Sequence, residues 1–125
     1  MGPSILTIGL PLDHPSMSSM PGVKINLEDL RKKIEKSEAD IKADGYDLKM
    51  LSTSPEESRD VLVSALKERS WDGVMVGGGV RFNPIQTVWF EEIINTIRIH
   101  APNAKFIFNS SPDSLHAAMK RAFPK

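Results

Sequence analysis

The sequence predicts an α/β domain, a three-layer αβα sandwich built on a four-stranded parallel sheet. Two observations carry that expectation. Four short apolar runs recur along the 125 residues, and each is followed by a segment with helical periodicity. Runs such as Ile5-Leu6-Thr7-Ile8 and Val74-Met75-Val76 are also nearly continuous in apolar character. Strands covered on both faces read that way, whereas strands with one wet face alternate.

The first strand is expected over Ile5 to Leu10. Pro11 to Ile25 follows as a long loop with Pro11, Pro15, Pro21, Met17, Met20 and Gly22. Loops of that length in a small domain are usually functional or disordered. Asn26 then caps a helix running to about Asp44, with Leu27, Leu30, Ile34 and Ile41 at helical spacing and Gly45 as its left-handed stop. Asp47 to Leu51 is the second strand.

Ser54-Pro55-Glu56-Glu57 reads as a capping box with proline at the first helical position. Its helix should bury Val61, Leu62, Ala65 and Leu66 and stop near Ser70. The third strand, Gly73 to Val76, runs into Gly77-Gly78-Gly79-Val80-Arg81. Asn83-Pro84 opens a third helix, whose Ile85, Val88, Trp89, Phe90, Ile93, Ile94, Ile97 and Ile99 cover more than one stripe. That excess suits either burial under neighbouring helices or a symmetric homodimer through this helix. Lys105 to Phe108 is the fourth strand, and Ser111-Pro112-Asp113 opens a last helix lined by Leu115, Ala118, Met119 and Ala122.

Composition narrows the function classes. The length fits one domain over residues 1–125, and the 40% hydrophobic and 26% charged content is ordinary for a globular chain. Sixteen basic residues balance sixteen acidic ones. A zero net charge argues against nucleic acid and against an anionic membrane surface, both of which call for a basic excess. Cysteine is absent, so there are no disulfides and no thiol chemistry. The first ten residues lack a basic n-region and no apolar stretch is long enough to span a bilayer, which makes cytoplasm the expected location.

Topology says where a site should lie. Parallel open sheets bind ligands beyond the carboxyl ends of their strands, where the strand order reverses. In the flavodoxin-like order 2-1-3-4 that reversal falls between strands one and three. The loops 11–25 and 77–83 then face each other across one crevice, with Asn109-Ser110-Ser111 beside the second.

The glycine loop is the first candidate. Gly77, Gly78 and Gly79 permit positive φ and a close backbone approach, Asn83 starts a helix behind them, and Arg81 offers a forked cation. Together they suit a carboxylate or phosphate. Asn109 and Ser110 can hydrogen-bond the same ligand, although capping of the last helix by Ser110 or Ser111 explains those residues equally well.

Asp13 and His14, just past the first strand, are the candidates for proton transfer. A metal is not expected, because His100 and His116 make no ligand spacing with them. Ser16, Ser18 and Ser19 lack the G-x-S-x-G elbow of a serine nucleophile. The mixed charges around Arg31-Lys32-Lys33 are a solvated helix face.

Familiar motifs of this architecture are missing. Gly9-Leu10-Pro11-Leu12-Asp13 is neither a dinucleotide fingerprint nor a flavin phosphate loop, no Walker lysine follows the glycines, and Gly77 stands where a receiver domain has its phospho-acceptor aspartate. At Gly9-Leu10-Pro11, Gly77-Gly78-Gly79-Val80-Arg81, Phe90-Glu91-Glu92-Ile93-Ile94-Asn95 and Phe108-Asn109-Ser110-Ser111-Pro112 the chain resembles a group of short flavodoxin-like or Rossmann-like bacterial and fungal proteins of unassigned function. The resemblance covers nearly the whole chain and implies a stand-alone domain without implying an activity.

The expected function is therefore binding of a small anionic metabolite, extended to a cofactor-independent hydrolase, isomerase or lyase if Asp13 and His14 act on it. The alternative is a non-catalytic dimeric interaction module.

Overall fold

The apolar runs pair in parallel, as their lack of alternation requires. In the computed structural model, which describes residues 2–18, 26–111 and 113–124, they form β1 (Ser4–Gly9), β2 (Asp47–Ser52), β3 (Gly73–Val76) and β4 (Lys105–Ile107). The order is β2-β1-β3-β4, all parallel, with Ile8 opposite Leu51 on one side and Val76 on the other. This is the three-layer sandwich and the strand order expected.

Helices α1 (Leu27–Ala43), α2 (Arg59–Lys67), α4 (Thr87–His100) and α5 (Leu115–Ala122) cover the sheet, and a single turn, α3 (Gly78–Arg81), follows β3. Alternate strand residues feed two cores. On one face Leu6, Ile8, Val74 and Val76 pack with Leu62 and Leu66 of α2 and with Trp89, Ile93 and Ile97 of α4. On the other, Ile5, Met75 and Ile107 pack with Ile41 of α1 and with Leu115, Ala118 and Met119 of α5. Burying large aliphatic side chains on both faces supplies about 1.5–3 kcal/mol for each one.

Local chemistry sets the ends of the elements. The Asn26 side chain accepts from the Asp29 amide and starts α1, and Gly45 (φ 92) ends that helix in the left-handed conformation. β1 ends at Gly9, one residue early, and β4 at Ile107. The second helix differs from expectation. The Glu57 carboxylate does accept from the Ser54 amide (3.0 Å), as in a capping box, but this closes a separate turn. Ser58 then caps α2, accepting from the Asp60 amide at 3.2 Å. Starting at Arg59 turns Val61 outward, 39% exposed, while Leu62, Ala65 and Leu66 face the core.

The third expected helix begins as a 3-10 turn, Pro84–Gln86, before α4. The apolar excess on α4 is divided. Trp89, Ile93 and Ile97 are buried, Phe90 and Ile94 are half-buried, and Ile85, Val88 and Ile99 are 71%, 64% and 72% exposed. At α5, neither Ser110 nor Ser111 caps with its side chain. The Ser114 hydroxyl instead accepts from the amides of Ser110 (3.0 Å) and Ser111 (2.9 Å). Pro112 lies outside the described residues.

Candidate functional site at the strand carboxyl ends

β1 and β3 are neighbours in the sheet, so the segments leaving their carboxyl ends meet. The Asn83 side-chain amide donates to the Ser16 carbonyl at 3.0 Å, and the Gln86 amide donates to Ser16 Oγ at 3.0 Å. Met17 packs against Gly79 so closely that a Cβ there would lie 2.8 Å from Met17 Sδ. The part of the long loop carrying these contacts is a turn at 11–14 and a 3-10 helix, Pro15–Ser18. Ser19, Met20, Pro21 and Gly22, which the loop expectation included, lie outside the described residues.

The glycines do not serve as left-handed hinges. Gly77 sits at φ −70°, and Gly45 is the one described glycine with positive φ. The run is instead the start of α3. The Gly77 amide donates to the Ile8 carbonyl (2.8 Å), which ties the turn to β1, and the Gly77 carbonyl accepts from Val80 and Arg81. Bare backbone is needed for packing. A Cβ on Gly78 would sit 2.9 Å from the Phe82 ring, and one on Gly79 would meet Met17. As the first residues of a helical turn, Gly78 and Gly79 have no acceptor within it for their amides.

The turn delivers Arg81 to the ends of β3 and β4. Its Nε donates to the Val76 carbonyl (2.8 Å), and Nη2 donates to both the Asn109 carbonyl and Asn109 Oδ1 (2.9 Å for the latter). The guanidinium carbon lies 4.6 Å from the Phe82 ring centre and 5.2 Å from that of Phe108. Among the described residues no carboxylate pairs with it and Nη1 has no acceptor. Burial pulls the Arg81 pKa below its ordinary value. Asn109 is itself fixed by donating to the Ser111 carbonyl (2.7 Å), and exposed Ser110 stands at the rim.

Asp13 and His14 part company. Asp13 points to solvent in the 11–14 turn and makes no hydrogen bond among the described residues. His14, with a side chain 13% exposed, is held at both ring nitrogens. Nε2 lies 2.6 Å from Glu56 Oε1, and Nδ1 lies 2.9 Å from Ser16 Oγ. The Ser16 amide also donates to Nδ1 (3.2 Å), which makes Nδ1 the lone-pair nitrogen and leaves the ring proton on Nε2 to face Glu56. That hydrogen bond holds the Glu56 carboxyl below the usual carboxylate range. These groups border an open groove of about 720 Å³ walled by Pro15, Pro55, Ile85 and Gln86.

The expected site therefore divides in two. Arg81 and Asn109 face the β4 side of the glycine turn, while His14 and Ser16 face α2 and the start of α4. Asn83 stands between them, 1% exposed. Its Oδ1 accepts from the Ile85 amide (3.1 Å) while Nδ2 holds Ser16. Glu56 and Gln86 are not among the residues expected here, and Ser16 enters the expectation only as a loop serine without a nucleophile elbow. Glu56 lies 42 residues from His14 and carries no local signal beyond its place in the 54–57 turn.

Among the described residues no three or more His, Asp or Glu side chains gather closely enough to hold a metal ion, and no helix is long and apolar enough to cross a membrane. The fold and site define a flavodoxin-like α/β/α domain with two polar clusters at the strand carboxyl ends. Compared with known proteins, the chain matches no family model, no curated protein and no solved structure.

Proposed function

We propose that this domain binds a small anionic molecule, phosphate or carboxylate in character, at the carboxyl ends of β3 and β4. One observation carries the reading. Arg81 is a partly buried guanidinium fixed by carbonyl oxygens and aromatic rings, with no carboxylate partner among the described residues. Structural arginines that are drawn inward are ordinarily paired. An anion on Nη1 would complete this one and offset the cost of burying its charge. The Gly78 and Gly79 amides lie on the same turn, and Asn109 and Ser110 supply polar groups beside it. Asn83 caps the 3-10 turn that follows.

Thermal-shift titration with inorganic phosphate and with succinate tests this. The wild-type chain should gain stability with rising ligand, by RT ln(1 + [L]/Kd), and Arg81→Gln should not. Equal shifts in both proteins would refute the assignment.

A second reading has its own observation. Ile85 and Val88 are 71% and 64% exposed around the start of α4, and Phe82, just before Asn83, is 49% exposed. We propose a second copy of the chain as their occupant, since zero net charge puts no overall repulsion between copies. Sedimentation of wild type and Val88→Lys decides it: a dimer lost on substitution supports the contact, and a monomer in both removes it.

A further inference from the structure

We propose that Ser16, His14 and Glu56 form a nucleophilic relay that cleaves small neutral carboxylic esters in the groove between the loop after β1 and the start of α4. The inference is independent of the anion reading, since none of Arg81's contacts enters it.

The hydrogen bonds fix the direction of proton flow. Glu56 accepts from His14 Nε2 (2.6 Å), which orients the ring and stabilises it when it becomes a cation. Nδ1 therefore presents a lone pair, and Ser16 Oγ lies 2.9 Å from it. Gln86 donates to the same oxygen at 3.0 Å, and the Nδ1 lone pair stands within hydrogen-bond distance of it, where the Ser16 proton can pass. Because both ring nitrogens are engaged, His14 takes a proton from a substrate only by way of Ser16. This is the nucleophile–base–orienting-acid arrangement, with the two ring nitrogens exchanged relative to the usual serine hydrolase order.

The walls choose the substrate. Pro15, Pro55 and Ile85 present apolar surface, and Glu56 is the charged group at the edge. A carboxylate beside the nucleophile repels phosphate esters and other anions, so the acceptable electrophile is an uncharged acyl group. Ser16 Oγ would form a bond to the ester carbonyl carbon while its proton passes to His14 Nδ1. The carbon–oxygen bond to the alkoxy group then breaks, and the departing alcohol takes that proton. Water hydrolyses the acyl-serine by the same route, giving the carboxylic acid and restoring Ser16. The Gln86 amide, 3.0 Å from Oγ, is a donor that the developing charge on the carbonyl oxygen would use. Glu56 is a positioning residue, acting through His14.

Two measurements test the relay. A fluorophosphonate probe on the full chain, followed by peptide mapping, should give an adduct on Ser16. The labelling rate should fall about a hundredfold or more in His14→Ala, and Glu56→Gln should move the acid limb of its pH profile. No adduct, or an adduct elsewhere, overturns the proposal.

The second measurement needs no substrate and guards against a misfolded Ser16→Ala protein. Because the chain has no cysteine, Ser16→Cys carries a single thiol of nearly the same shape. Its alkylation by iodoacetamide at neutral pH should be fast with His14 present and slow in the Ser16→Cys, His14→Ala double variant, as a thiolate paired with imidazolium requires. Equal rates in the two overturn the proposal.

Discussion

The Asn83 side chain holds the Ser16 carbonyl 67 residues away in sequence, at 3.0 Å and with almost no exposure. One residue thereby starts the 3-10 turn Pro84–Gln86 and pins the loop after β1, and the His14–Ser16 cluster depends on that join. Asn83→Ala removes a cap and leaves a buried carbonyl without its donor, so it should cost about 2–3 kcal/mol in urea denaturation. Asn83→Asp keeps the capping oxygen but sets a charged acceptor against the Ser16 carbonyl in a site 1% exposed, so it should cost at least as much as Asn83→Ala. A value equal to wild type would show that the join to Ser16 contributes nothing.

Arg81 has a structural role that the sequence did not disclose. Three of its hydrogen bonds end on Val76 and Asn109, so Arg81→Ala should lower stability by about 1–3 kcal/mol even without ligand. Arg81→Lys keeps the charge but not the planar fork. It should retain weak anion response while losing most of the tie to Asn109, as read by denaturation with and without phosphate.

The glycines of the run are not equivalent. Gly77 has an ordinary helix-entry conformation, and a Cβ there would come no closer than 3.4 Å to the Ile8 carbonyl, so Gly77→Ala should change stability by no more than about 0.5 kcal/mol. Gly73→Ala would place a Cβ 2.6 Å from Ile107 and 2.9 Å from Phe123 inside the second core, and overpacking of that kind costs about 1–3 kcal/mol. Gly78→Ala should displace Phe82 from Arg81 and weaken anion response more than it weakens the fold.

Acid should release the His14 contact. The hydrogen bond to His14 depresses Glu56 in the folded state, so its contribution is present above the unfolded carboxyl value of about 4.3 and is lost as pH falls through the lower folded value. Glu28, Asp40 and Glu68 are depressed in the same way by hydrogen bonds to Arg31, Lys36 and Lys49, and add to the same acid-side loss. Stability measured from about pH 6 downward should therefore fall less steeply in Glu56→Gln than in wild type. Parallel curves would mean that the His14–Glu56 bond does not form in solution.

Much of the architecture was legible because it follows from periodicity. Unbroken apolar strands such as Val74-Met75-Val76 require two covering layers, and the βα rhythm places a reversal between β1 and β3. Capping chemistry was legible where a single residue decides it, as at Asn26 and Gly45. It misled at Ser54, because the box closes its own turn and Ser58 is the better-placed cap four residues on. Glycine permits positive φ without requiring it, so Gly77–Gly79 read as positions of positive φ when Gly78 and Gly79 instead make room for Phe82 and Met17. Adjacency suggested Asp13 for His14, whereas the chain turns at 11–14 and brings Glu56 from the far side. Pairings between residues 28 to 70 positions apart leave no local pattern to read.

The most direct measurement of the central claim is a titration of the isotopically labelled full chain with inorganic phosphate, followed by amide and arginine Nε–H resonances. Shifts should be concentrated at Gly78, Gly79, Arg81 and Asn109, share one saturation curve, and vanish in Arg81→Gln. Shifts spread over the surface lysines and arginines, or a response at Gly78 and Gly79 that survives the loss of Arg81, would contradict an anion site at this turn.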